Sequence, residues 1–238
     1  MAQEIAVEVA SDNCPIPATH DKVDESHYFL HRMLQEVHEP HPFRWNLNAF
    51  LHAMRSVEHM LKSELGQRSD FATWYGPWAK ALRAEPLIKR IVDGRNIIVH
   101  DGMLHRRSRI EAGRFKHGRI AFGFNFPLDV DASSASALRN VVAHFTGEYI
   151  DEEHSAIGEQ LGVRRVWVVE ELTDTDEDVL VVCHNAWLRI RELVVDAHKL
   201  TGMTYPNEDE TNDSHNPNRY NLLLESDLDS SLLTKWDL

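Results

Sequence analysis

The stretch 43–65, FRWNLNAFLHAMRSVEHMLKSEL, decides the fold class. Phe43, Leu47, Phe50, Leu51, Met54, Val57, Leu61 and Leu65 recur three and four residues apart, which lines one face of a helix, and Gly66 marks its end. Working outward, Val23, Tyr28, Leu30, Met33, Leu34 and Val37 predict an earlier helix from Asp21, closed by Pro40 and Pro42. Ser69-Asp70 opens a third, aromatic helix with Phe71, Trp74, Tyr75 and Trp78. Pro86 is suited to an early position of a fourth that runs toward His100 and closes at Gly102. Aromatics at this spacing read as core rather than as a base-stacking platform.

The pattern then changes period. Arg114-Phe115-Lys116, Gly118 and the alternating Ile120, Phe122, Phe124 and Phe126 predict a short hairpin within residues 103–130. Ser133 to Ile150 returns to helical spacing, and Val163 to Leu172 fits a strand or a helix continuation. Glu177 to Leu200 reads as a long last helix, with Val181, Ala186, Leu188, Leu193 and Val194 packing on the bundle. The expected architecture is therefore predominantly all-α. It comprises a flexible leader over residues 1–21, where Pro15 and Pro17 oppose a helix, and a helical core over 22–102. The hairpin insertion follows, then helices over 131–202 that complete the bundle, and an acidic, partly disordered tail over 203–238. In that tail Leu224, Leu228, Leu232 and Trp236 either dock as an amphipathic segment or fray.

The 25 Lys and Arg against 38 Asp and Glu leave a net charge of -13, which repels polyanions at long range and excludes a general nucleic-acid coat protein. The distribution is uneven. Nine basic and three acidic residues fall between Lys89 and Arg119, so that segment is +6. Its Arg90, Arg106, Arg107 and Arg109 are candidate RNA contacts, or else part of a solvated surface. Cys14 and Cys183 are too few and too far apart for a disulfide framework, which suits a reducing, cytoplasmic setting. The first ten residues lack the apolar run of a secretory signal, and no apolar run is long enough to span a bilayer, so no membrane association is expected. Phosphate-loop, nucleophile-elbow and paired-Cys zinc signatures are missing, and no cofactor is expected. His27 with His31, and His38 with His41, have the proximity of metal ligands, but no carboxylate spacing completes a site, and no metal is expected. Cys183-His184 adjoin in sequence without facing each other on a helix, and a buried thiol is the expectation.

The chemistry-bearing segment is Arg95-Asn96-Ile97-Ile98-Val99-His100, followed by Asp101-Gly102. Arg with His five positions on is common in a chain with 15 His, but Asn directly after Arg narrows the pattern. A second hexad matches it, Arg139-Asn140-Val141-Val142-Ala143-His144. On a helix Asn96 and His100 share a face, so the amide is placed to orient the imidazole, while Arg95 swings over the helix end. A planar cation, an amide and a group titrating near neutrality suffice for metal-free RNA cleavage: His moves the proton and Arg stabilises charge on the phosphorane. The alternative is that Arg95 and His100 simply pair and cap at the end of a buried helix.

On these residues the chain resembles the HEPN superfamily, whose hallmark is Arg, four to six residues, then His. The run from Phe43 to Phe50 through Arg95 to Gly102 is similar to bacterial HEPN-like proteins of undefined role, over roughly residues 22–102. The resemblance implies an antiparallel helical bundle that homodimerises and a metal-independent endoribonuclease leaving a 2′,3′-cyclic phosphate, of the kind used in toxin, stress or antiviral systems. Arg95 and His100 match the hallmark and Asn96 its polar companion. A non-catalytic, homodimeric protein- or RNA-binding module is the other expectation, and an inhibitory partner protein would accompany a toxin.

Overall fold

A computed structural model describes residues 14–117, 119–148, 160–203 and 221–228. The eight apolar residues picked out between Phe43 and Leu65 are all buried, in helix α2 (Pro40–Leu65). Helix α1 (Pro17–Gln35) buries Val23, Leu30, Met33 and Leu34 against it, whereas Tyr28 turns outward, 40% exposed. Three helices open on a proline, α1, α2 and α4 (Pro86–His100), because a first-turn residue has no helical use for an N–H and proline already holds the required φ. The leader thus gives way to helix four residues before Asp21, and Pro40 begins α2 rather than merely ending α1. Helix α3 (Phe71–Ala84) carries Tyr75 in the core, and the Trp74 and Trp78 indoles both donate to Asp196 Oδ2 at 2.8 Å.

The chain is not predominantly all-α. Among the described residues β1 (Arg106–Lys116), β2 (Arg119–Leu128), β3 (Gln160–Val169) and β4 (Leu222–Leu224) form an antiparallel sheet in the order β2-β1-β3-β4. The expected hairpin is there, with Ile110 opposite Phe126, but β1 is an interior strand of that sheet rather than half of an insertion. β3, flanked by β1 and β4, is buried along most of its length, Arg165 included, and so lacks the alternation that identifies a strand. Helix α5 (Ser134–Glu148) does not complete the bundle. Its Ala137, Leu138 and Val141 cover Ile110, Ala112 and Val163 of the sheet in a second core that also takes in Leu228. Leu222–Leu224 pairs with β3, so this part of the tail is built in, while residues 204–220, Leu232 and Trp236 lie outside the described residues.

Helix α6 (Val179–Leu200) joins the bundle, with Asp178 capping Leu180 N at 3.0 Å; Leu188 is exposed and Trp187 and Ile190 are buried in its stead. Sheet and bundle meet through β3. The Trp167 ring stacks 4.8 Å from that of Phe43, and its indole N–H donates to Val37 O at 2.8 Å. Among the described residues no helix is long and apolar enough to cross a membrane.

Candidate functional site

Helix α4 ends as its sequence predicts. Asp101 N and Gly102 N both return to Ile97 O, and Gly102 takes φ 92, a conformation open chiefly to glycine. Ile97 and Ile98 pack against the core, while Val99 and His100 stand exposed. Asn96 does not orient His100. Its Oδ1 lies 3.4 Å from Arg95 Nη1, and His100 has no hydrogen bond among the described residues. Arg95 is half-buried, with its Nε lacking a partner there. The second hexad lies on α5, in the other layer, where His144 Nδ1 donates back to Asn140 O at 2.8 Å; the two hexads belong to different elements.

Of the four arginines expected to contact RNA, three already have anionic neighbours. Arg90 pairs with Asp174, Arg107 with Glu170 at 3.2 Å and Asp176 at 3.7 Å, and Arg109 with the Asp176 carboxylate at 3.9 Å while it donates to that residue's backbone carbonyl at 3.1 Å. These ion pairs turn much of the +6 segment into an internally neutralised surface.

Arg106 differs. At the start of β1 it faces the first turns of α2 across a cavity of about 300 Å³ lined by Arg44, Trp45, Asn48, Gly102 and Met103. Among the described lining residues there is no carboxylate. Burial, and then the like charge of Arg44, hold the Arg106 guanidinium below its ordinary range, and its buried Nη1 has no hydrogen-bond partner among the described residues. Arg44 Nη1 rests on Met103 Sδ at 3.6 Å, a weak acceptor. Two guanidinium groups thus share one pocket whose lining offers no carboxylate, with Asp131 acting on Arg106 from outside it, an arrangement that an incoming anion relieves. Trp45 stands beside them 60% exposed, with the His41 ring near-parallel to it at 6.1 Å.

Sequence reading missed Arg44, Trp45 and Asn48. They sit on the polar side of a helix recognised by its apolar stripe, and only the approach of the α4–β1 connection gives them a partner surface. Among the described residues, metal-ligand atoms converge in one place, at Cys14, His20 and His198, and not at His27 with His31 or at His38 with His41. Cys183 is the expected buried thiol, pushed above its usual range by burial.

Residues 8–225 match the family described as bacteriophage lambda protein ea47. No curated protein matches, and no solved structure does. The family match overturns the HEPN resemblance, which rested on the Arg95 hexad and the run from Phe43 to Phe50 within residues 22–102. By a match over most of its length, the chain belongs to the bacteriophage lambda ea47 family.

Proposed function

We propose that the protein binds single-stranded RNA at the pocket between α2 and the α4–β1 connection. Arg44 and Arg106 grip a phosphate, Trp45 stacks on the neighbouring base and Asn48 supplies a polar contact to the sugar or base edge. The observation that carries this reading is the pair of guanidinium groups, in a pocket lined by no carboxylate, beside an exposed indole. Recognition is local, a phosphate and an adjacent base, because the charge of -13 opposes a long polyanion track.

The test is anisotropy of a short labelled single-stranded RNA. Trp45→Ala removes a ring that contributes little to the core, so folding should be unchanged while affinity falls about tenfold, the weight of one stacked base. Affinity equal to wild type removes Trp45 from the site, and absence of binding by wild type removes the reading.

Cleavage of the bound RNA is a second reading, favoured by the exposed, unbonded His100 two residues before Gly102 in the pocket wall. There His100 would take the proton of a ribose 2′-hydroxyl as that oxygen attacks phosphorus, the bond from phosphorus to the 5′-oxygen would break to leave a 2′,3′-cyclic phosphate, the departing 5′-oxygen would take a proton from solvent, and Arg95 would balance the charge that develops. His100→Ala should abolish product formation and leave binding intact. Product from that variant at the wild-type rate would refute cleavage alone.

A further inference from the structure

Three potential metal ligands from the two ends of the helical core meet where α1 begins and α6 ends. Cys14 Sγ lies 3.4 Å from His198 Nε2 and 3.8 Å from His20 Nδ1, and the three ligand atoms all lie within 4.8 Å of one another. Around a tetrahedral zinc, with bonds of about 2.3 Å to sulfur and about 2.0 Å to nitrogen, sulfur and nitrogen donors stand about 3.5 Å apart. The two observed sulfur-to-nitrogen spacings bracket that separation.

Ring orientation agrees with the distances. His198 Nδ1 is 2.8 Å from Val194 O, which can only accept, so Nδ1 carries the hydrogen and the neutral ring turns the Nε2 lone pair toward Cys14. On His20 the other nitrogen, Nε2, faces Asp24 Oδ2 at 3.6 Å, which leaves the Nδ1 edge for the sulfur side. A backbone carbonyl behind one imidazole and a carboxylate behind the other are the outer partners that metal-bound histidines use. Burial, and then the neighbouring His198 ring, keep His20 below the ordinary imidazole range.

The surroundings favour a cation over a metal-free nucleophile. Burial, and then the Glu64 and Asp24 carboxylates, raise the Cys14 thiol above its usual value, opposite to the shift an activated thiolate needs. The same two negative charges attract a divalent ion. By contrast, the His27 ring is stacked on Trp187 at 4.3 Å, which gives it a packing role.

We propose that Cys14, His20 and His198 bind one Zn²⁺, with water in the fourth position on the half-exposed side of Cys14. Cys14 binds as thiolate and its proton passes to solvent, so each ion taken up by the neutral site releases one proton. The ion would tie the first turn of α1 to the last turn of α6.

The test uses the full chain, stripped with chelator, dialysed and titrated with Co²⁺ as a spectroscopic stand-in and then with Zn²⁺. One equivalent of Co²⁺ should produce a near-ultraviolet thiolate-to-cobalt band and intense visible bands of four-coordinate cobalt, which Zn²⁺ abolishes. Cys14→Ser should lose the thiolate band and bind at least tenfold more weakly, while Cys183→Ala, whose thiol lies in the core, keeps both properties. A thiolate band that survives Cys14→Ser overturns the site, and so does wild-type protein that shows no band. Should Cys14→Ser fail to fold, the wild-type melting temperature decides: one equivalent of Zn²⁺ must raise it, and an unchanged value refutes the proposal.

Discussion

Arg165 is completely buried, and oxygen atoms rather than a carboxylate meet its two terminal nitrogens, while Nε has no partner among the described residues. Nη1 donates to Ala132 O at 2.7 Å, Nη2 to Ser108 Oγ at 3.0 Å and to Asp129 O at 3.3 Å, and the group lies 3.8 Å from the centre of the Trp167 ring. Burial lowers its pKa to about 10, so it stays charged at neutral pH. Arg165→Met should cost about 3 kcal/mol in urea unfolding, because the buried oxygens lose their donor. Arg165→Lys should recover little of this, since an ammonium cannot fork between them. Burial, and then the charge of Arg165, drive the neighbouring His38 down to about 4. An unfolded imidazole titrates near 6.5, so between about pH 6.5 and 4 the unfolded chain binds a proton that the folded chain refuses. Stability is therefore complete above that window and falls as pH drops through it, by about 3 kcal/mol for this group across the whole window. His38→Gln should narrow the difference between urea midpoints at pH 7 and pH 5. A remainder is expected, because His20, His31 and His184 are shifted the same way by burial, while buried Asp178, raised to about 7, acts in the opposite sense.

At the scale of elements, α1 starts without a side-chain cap of its own. Glu64, in the last turn of α2, supplies one instead by accepting from Ala18 N at 2.7 Å, Thr19 N at 2.9 Å and Thr19 Oγ at 2.6 Å. Glu64→Ala should lower stability by about 1–2 kcal/mol in thermal or urea melts, the worth of a lost cap. No local signal predicts such a cap, because donor and acceptor are 45 residues apart. The same distinction separates what could be read from sequence and what could not. Helix α2, the glycine end of α4 and the β1–β2 hairpin follow from local period and turn chemistry. Asp70 was a sound local cap for α3 but instead holds Arg68, at 2.8 Å. β3 hid because a strand covered on both faces loses its alternation, and with it went the sheet and the true position of α5. The hexad at Arg95 was visible and its helix was right, yet Asn96 turns to Arg95, a choice that sequence spacing leaves open. Cys14 and His198 meet across 184 positions, beyond any motif.

At the scale of the molecule, two cores share one sheet. The larger unites α1, α2, α3, α4 and α6 with Trp167 and Val169 of β3, and the smaller lies between the sheet and α5. The pocket proposed for RNA opens where these parts adjoin, Arg44 coming from the helical core and Arg106 from the first residue of β1. Both cationic groups are thus held on rigid elements, while the acidic remainder of the chain discourages binding elsewhere. The most direct measurement is the affinity for a short single-stranded RNA as a function of salt, in wild type, Arg106→Ala and Arg107→Ala. Arg106→Ala should weaken binding at least tenfold and flatten the plot of log affinity against log salt by about 0.7, the contribution of one phosphate contact on a single strand. Arg107→Ala should change little, because Glu170 and Asp176 already neutralise it. Equal effects of the two substitutions, or none from Arg106→Ala, would contradict the account.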